Sequence, residues 1–124
     1  MSAEKFSRLT PDELVLQFRS FALEQQSVLL DSDMQRYNSL YDKCTAVVDE
    51  LKRRGPQALE ALLDLLRDSN LRVRLEAAGR LVDFAPKAAV AALNEVQQSQ
   101  VMPEAGAAGM GLYFIKERLG KLPE

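Results

Sequence analysis

Gly55–Phe84 reads GPQALEALLDLLRDSNLRVRLEAAGRLVDF, and Ala85–Phe114 reads APKAAVAALNEVQQSQVMPEAGAAGMGLYF. At an offset of thirty residues and with no gap, Pro56 matches Pro86, Ala58 matches Ala88 and Ala61 matches Ala91. Ala77-Ala78-Gly79 matches Ala107-Ala108-Gly109, and Phe84 matches Phe114. Apolar positions also correspond: Leu63 with Leu93, Leu66 with Val96, Val82 with Leu112. Within each copy, apolar residues recur at steps of three and four on both sides of a polar turn, which is the spacing of two helices. Each such hairpin leaves one face apolar, and only stacking against a neighbour buries it.

Working outward, the same spacing places helices over 56–67, with Leu59, Leu62, Leu63 and Leu66 inward, and over 71–84 in the first copy, and over 86–98 and 104–119 in the second. Pro56, Pro86 and Pro103 stand where helices open, since proline's fixed φ suits the first turn. Either Ser69 or Asn70 can cap the helix that follows Asp68. Upstream, Thr10-Pro11-Asp12-Glu13 forms a capping box, and Leu14, Phe18, Phe21, Ala22, Val28 and Leu29 give a helix over 11–30. Asp31-Ser32-Asp33 breaks it. The next helix carries Tyr37, Leu40, Tyr41, Cys44, Val47, Val48 and Leu51 on one stripe. It ends at Lys52-Arg53-Arg54-Gly55, where basic residues suit a C-terminus and Gly55 can take a left-handed cap.

No stretch alternates with period two, so the expected fold is all-α: six helices as three antiparallel hairpins in an α-α superhelix. Residues 1–124 form a single domain: an arm over 1–10, a diverged hairpin over 11–54, repeats over 55–84 and 85–114, and a tail over 120–124. The loops hold two to five residues, short enough to make successive helices antiparallel neighbours.

The first copy resembles a HEAT repeat. In that family a Leu-rich helix ends at an Asp, and the second helix carries Val-Arg, then Ala-Ala and Leu. Those positions here are Asp68, Val73, Arg74, Ala77, Ala78 and Leu81. The second copy keeps the packing residues, while Gln98, Pro103 and Glu104 replace Asp68, Val73 and Arg74. The whole chain is similar to small bacterial HEAT-like proteins. The resemblance implies a right-handed solenoid and a structural ion pair or cap between Asp68 and Arg74, and it supplies no activity.

Composition narrows the chemistry. The chain has 16 Lys and Arg, 18 Asp and Glu, and no His. A His general base, a Ser–His pair and a His metal ligand are excluded. The lone Cys44 makes neither an internal disulfide nor a Cys-rich zinc site, and on its core stripe it reads as a small buried hydrophobe. No catalytic constellation, cofactor motif or metal spacing stands out, so the expectation is a protein that is not an enzyme and holds no cofactor. No apolar run reaches the ~18 residues of a membrane span, and Met1–Lys5 lacks a signal segment. These point to the cytoplasm and away from membranes.

Three features carry candidate function. Arg72, Glu76, Arg80 and Asp83 follow spacings of four, four and three, so they share one stripe. They serve either as a binding face or as solvated ion pairs. Shifted by thirty, the stripe becomes Met102, Gly106, Met110 and Tyr113, apolar where its counterpart is charged. It is either a docking or self-association patch or a surface covered by the tail or a helix end. Gly106, Gly109 and Gly111 either weaken the start of that helix or permit close helix approach. Finally, Lys52–Arg80 holds seven basic residues against four acidic ones.

The reading is a non-catalytic module that binds an as yet unidentified protein through the surface formed by the second helix of each of the three hairpins, with an immunity- or regulator-like role as one form of it. A homo-oligomer through Met110 and Tyr113 is compatible with the same stripe. The alternative is a HEAT-like nucleic-acid binder using Lys52–Arg80. The net charge of −2 and the lack of interleaved aromatics argue against it.

Overall fold

A computed structural model describes residues 3–123, with Met1, Ser2 and Glu124 of the arm and tail lying outside the described residues. Among them the chain is all-α, with seven α-helices and one 3-10 helix. The chain divides into two compact units, Met1–Leu63 and Asp64–Glu124.

In the first unit α1 (Ala3–Ser7) is a short turn of helix within the stretch read as an arm. It forms because Phe6 is buried, at 1% exposure, with its ring edge-on to Phe21 at 6.3 Å. Helix α2 spans Pro11–Leu30. It starts at the expected capping box: the Glu13 carboxylate accepts from the Thr10 backbone N–H at 2.9 Å, and the Thr10 hydroxyl accepts from the Glu13 N–H at 3.2 Å. Helix α3 spans Met34–Arg53, with the Asp33 carboxylate accepting from the Arg36 N–H. The two pack along their lengths through Leu14, Phe18, Phe21, Ala22 and Val28 against Leu40, Cys44, Val47, Val48 and Leu51, all buried. Tyr41 departs from the expected stripe and is exposed. Helix α4 covers Pro56–Glu60. Gly55 precedes it at φ 106°, a conformation L side chains resist. That residue caps the start of α4, not the end of α3 in a left-handed helical geometry, as expected from sequence; the C-cap of α3 is Arg54, in right-handed helical geometry.

The single helix expected over 56–67 is instead α4 followed by a 3-10 helix, Ala61–Arg67. The buried residues are Leu59, Leu62, Leu65 and Leu66, with Leu63 only half-buried. Steps of three line up on one face when a turn holds three residues, so the tighter helix trades Leu63 for Leu65. With α1, this is why six expected helices become seven α-helices and a 3-10 segment.

In the second unit α5 spans Leu71–Leu81, capped by the Asn70 side chain, which accepts from the N–H groups of Arg72 and Val73. It stops short of the expected 84, and residues 82–84 form a turn. Helices α6 (Pro86–Gln98) and α7 (Glu104–Leu119) have the expected bounds. The core is built from Val73, Ala77, Ala78 and Leu81 of α5, Ala89, Ala92, Leu93 and Val96 of α6, and Ala105, Ala108, Leu112 and Ile115 of α7. Half of these are alanine, which lets the helix axes approach closely. Arg74, near the start of α5, reaches Glu95, near the end of α6, at 3.3 Å, so these two helices run antiparallel.

Candidate interaction surface

Helix α7 is apolar on two opposite sides. Ala105, Ala108, Leu112 and Ile115, at steps of three and four, turn into the core. Met110 lies half a turn away from that stripe, with Tyr113 and Phe114 beside it. Met110 and Tyr113 are each 56% exposed, Phe114 59% and Met102, just ahead of the helix, 68%. The Tyr113 and Phe114 rings meet edge to face at 5.5 Å. A helix that is apolar all round is ordinarily buried all round; here one apolar side has no cover within the described residues. The tail leaves it open: Lys121, Leu122 and Pro123 line, with Lys87 and Leu119, a shallow cleft of about 280 Å³.

Two of the three glycines of α7 lie where it meets α6, and the third, Gly106, lies against Met102. A Cβ on Gly109 would stand 2.9 Å from the Gln97 amide, and one on Gly111 would touch Leu93 at 3.9 Å, both on α6. The helix is continuous from Glu104 onwards.

The charged stripe on α5 is placed differently from the expected outer face. Arg72 and Glu76 are buried at 3% and 6% exposure. Arg72 pairs with Glu76 at 2.9 Å and approaches Glu104, itself buried at the start of α7, at 3.7 Å. Arg80 pairs with the other oxygen of Glu76 at 2.8 Å. The reason is packing: α7 lies against α5 on this side, and two cations facing two carboxylates are neutralised as they are desolvated. Asp83 is exposed and holds Arg118 of α7 at 3.1 Å. The pairs Arg72–Glu104 and Asp83–Arg118 join start to start and end to end, so α5 and α7 run parallel, at offsets close to the thirty-residue period.

Asp68 and Arg74 come together through the backbone: the Arg74 guanidinium donates to the Asp68 carbonyl, while the Asp68 carboxylate accepts from the Asn70 N–H at 2.9 Å. The contact closes the turn before α5.

The basic cluster is largely spoken for. Arg53 and Arg54 both grip Glu50, which is buried. Hydrogen bonds from Arg53, then Arg54, hold the Glu50 carboxyl below the usual carboxylate range, and the same contact raises Arg53. Arg54 also donates to the carbonyls of Phe6 and Ser7, each at 3.1 Å. Arg72 and Arg80 serve Glu76, and Arg74 serves Glu95.

Sequence reasoning missed Glu104 and Phe114 as parts of these arrangements. Glu104 reads as a lost Arg74, yet an acid two residues beyond the repeat offset from Arg72 is the signal of a charge pair between parallel helices. Phe114 reads as a matched repeat position, although its i+4 spacing from Met110 puts it on the open side. Among the described residues there is no group of three or more His, Cys, Asp or Glu side chains arranged to hold a metal, and no helix is long and apolar enough to cross a membrane.

Residues 12–116 match the model of a domain of unknown function, DUF2019. The chain belongs to the DUF2019 family. A solved structure of similar fold is the protein RPA1889 from Rhodopseudomonas palustris CGA009, 34% identical, with 90% of this chain and 92% of that chain covered at a TM-score of 0.84. No curated protein matches the sequence. As a DUF2019 protein the chain thus has a bacterial relative of the same all-α build.

Proposed function

We propose that this DUF2019 chain is a HEAT-like helical-repeat module that works without catalysis, by binding protein through the outer side of α7. The observation that carries the reading is the exposure of Met110, Tyr113 and Phe114 together on one side of a helix whose other side is core. Contiguous apolar surface of this kind marks association sites more often than chance scatter does, and methionine beside aromatic rings adapts to a partner's contours. Parallel α5 and α7, one repeat apart, support the HEAT-like part of the reading. We take the module to act in the cytoplasm, where a lone thiol such as Cys44 stays reduced. The commitment of Arg53, Arg54, Arg72, Arg74 and Arg80 to carboxylates weighs against phosphate binding by the Lys52–Arg80 cluster.

The test compares two baits in lysate of the source cell, the wild-type chain and Met110→Glu. The reading expects a reproducible, identified protein on the first bait, this chain's own untagged copies included, that is absent from the second. Identical recovery on both baits overturns it.

A further inference from the structure

We infer that the occupant of this face is a second copy of the chain, docked antiparallel through α7 about a two-fold axis between Gly111 and Leu112. The inference rests on the proposed binding role of the α7 face and names its partner. Pro103, Gly106, Met110, Tyr113 and Glu117 follow steps of three, four, three and four, the seam spacing of paired helices. Run against itself about that axis, the seam is self-complementary. Met110 meets the second copy's Tyr113, and Tyr113 meets its Met110, so two sulfur–aromatic contacts form at the centre. Phe114 comes to lie beside Ala107 of the other copy, a large group facing a small one, while Glu117 comes to lie beside Met102, whose methyl group packs against Gly106. No like charges oppose each other: the charged final turns, Lys116 to Arg118, lie over the uncharged stretch 105–111 of the other copy. The opposed helix dipoles favour the same orientation.

The area fits as well. Aromatic side chains offer about 150–250 Å² each, so Tyr113 and Phe114, more than half exposed, leave roughly 100 Å² apiece. With Met102 and Met110 the face amounts to roughly 400 Å², and two faces with their flanks approach the ~1,000 Å² at which interfaces become specific. The pairing is therefore weak and reversible.

Sedimentation of the purified full chain from about 10 μM to about 1 mM tests it. The expected mass rises from 13.8 kDa towards twice that value. Met110→Glu is expected to weaken the dimer about 30-fold or more with the circular dichroism spectrum unchanged, because Met110 is exposed. Adding Tyr113→Lys to Met110→Glu places opposite charges across the axis twice and is expected to restore the dimer. A monomer throughout overturns the pairing, as does a dimer indifferent to Met110→Glu; failure of the double variant to recover overturns the antiparallel register. A monomeric wild type whose bait still captures an identified protein lost from Met110→Glu sinks self-pairing alone. A wild type that is monomeric throughout and whose bait recovers the same proteins as Met110→Glu sinks the binding role with it.

Discussion

Glu50 shows how much one side chain can organise. It sits one turn before the end of α3, binds Arg53 and Arg54, and is buried although acidic. Its pKa lies below the ordinary value of 4.5. The contribution to stability is therefore full above that value and is lost as pH falls through the lowered one. Glu50→Gln should be less stable than wild type near neutral pH, and the gap should narrow in acid; denaturant titrations at pH 7 and pH 3 check this, and a constant gap would refute it. Gln25 is legible only as a break in pattern. It occupies an apolar position of α2 with no exposure, its carbonyl oxygen accepts from the Cys44 thiol at 3.8 Å, and its amide nitrogen has no hydrogen-bond partner. A buried, half-satisfied amide does not follow from periodicity, which reads a polar residue as a surface one.

At the level of elements, boundaries set by side-chain chemistry were readable and those set by turn geometry were not. The Thr10 box, the Asp33 cap and the prolines at 11, 86 and 103 fix α2, α3, α6 and α7 because each satisfies or removes a free N–H. The segment from Leu59 to Leu66 is different. Its leucines satisfy both a 3.6- and a 3.0-residue turn, so spacing alone cannot choose, and the α-helical reading buries the wrong leucine. Leu65→Ala should cost about 2–5 kcal/mol, as for other buried leucines, and Leu63→Ala clearly less; equal losses in thermal or urea unfolding would mean the α-helical register holds in solution. On the α5 stripe charge reads as exposure, which suits Asp83, whereas Arg72 and Glu76 are buried and neutralised with Arg80 and Glu104 between two helices.

For the molecule as a whole, the all-α class is plain in the sequence, because every periodic stretch steps by three and four and none alternates with period two. The candidate site was half legible. Met110 and Tyr113 were found from the shifted stripe, yet the sequence offered no means of telling an open side from a covered one. That distinction depends on which neighbour each helix meets, and here α5 and α6 cover the side of Ala105, Ala108, Leu112 and Ile115. Overall charge gives no further guidance, since the net charge of −2 is small and most arginines are matched locally.

The grip of Arg54 on the Phe6 and Ser7 carbonyls has a practical corollary. Arg53-Arg54-Gly55 is an inviting trypsin target between two helices, but the Arg54 guanidinium is already occupied and its side chain is only 20% exposed. Cleavage at the Arg54–Gly55 bond should thus wait until the leading helix lets go, and the rate of nicking there becomes a clock for that detachment. Proteolysis that proceeds at the same speed with Phe6→Ala as with wild type would show the bond to be guarded by something else.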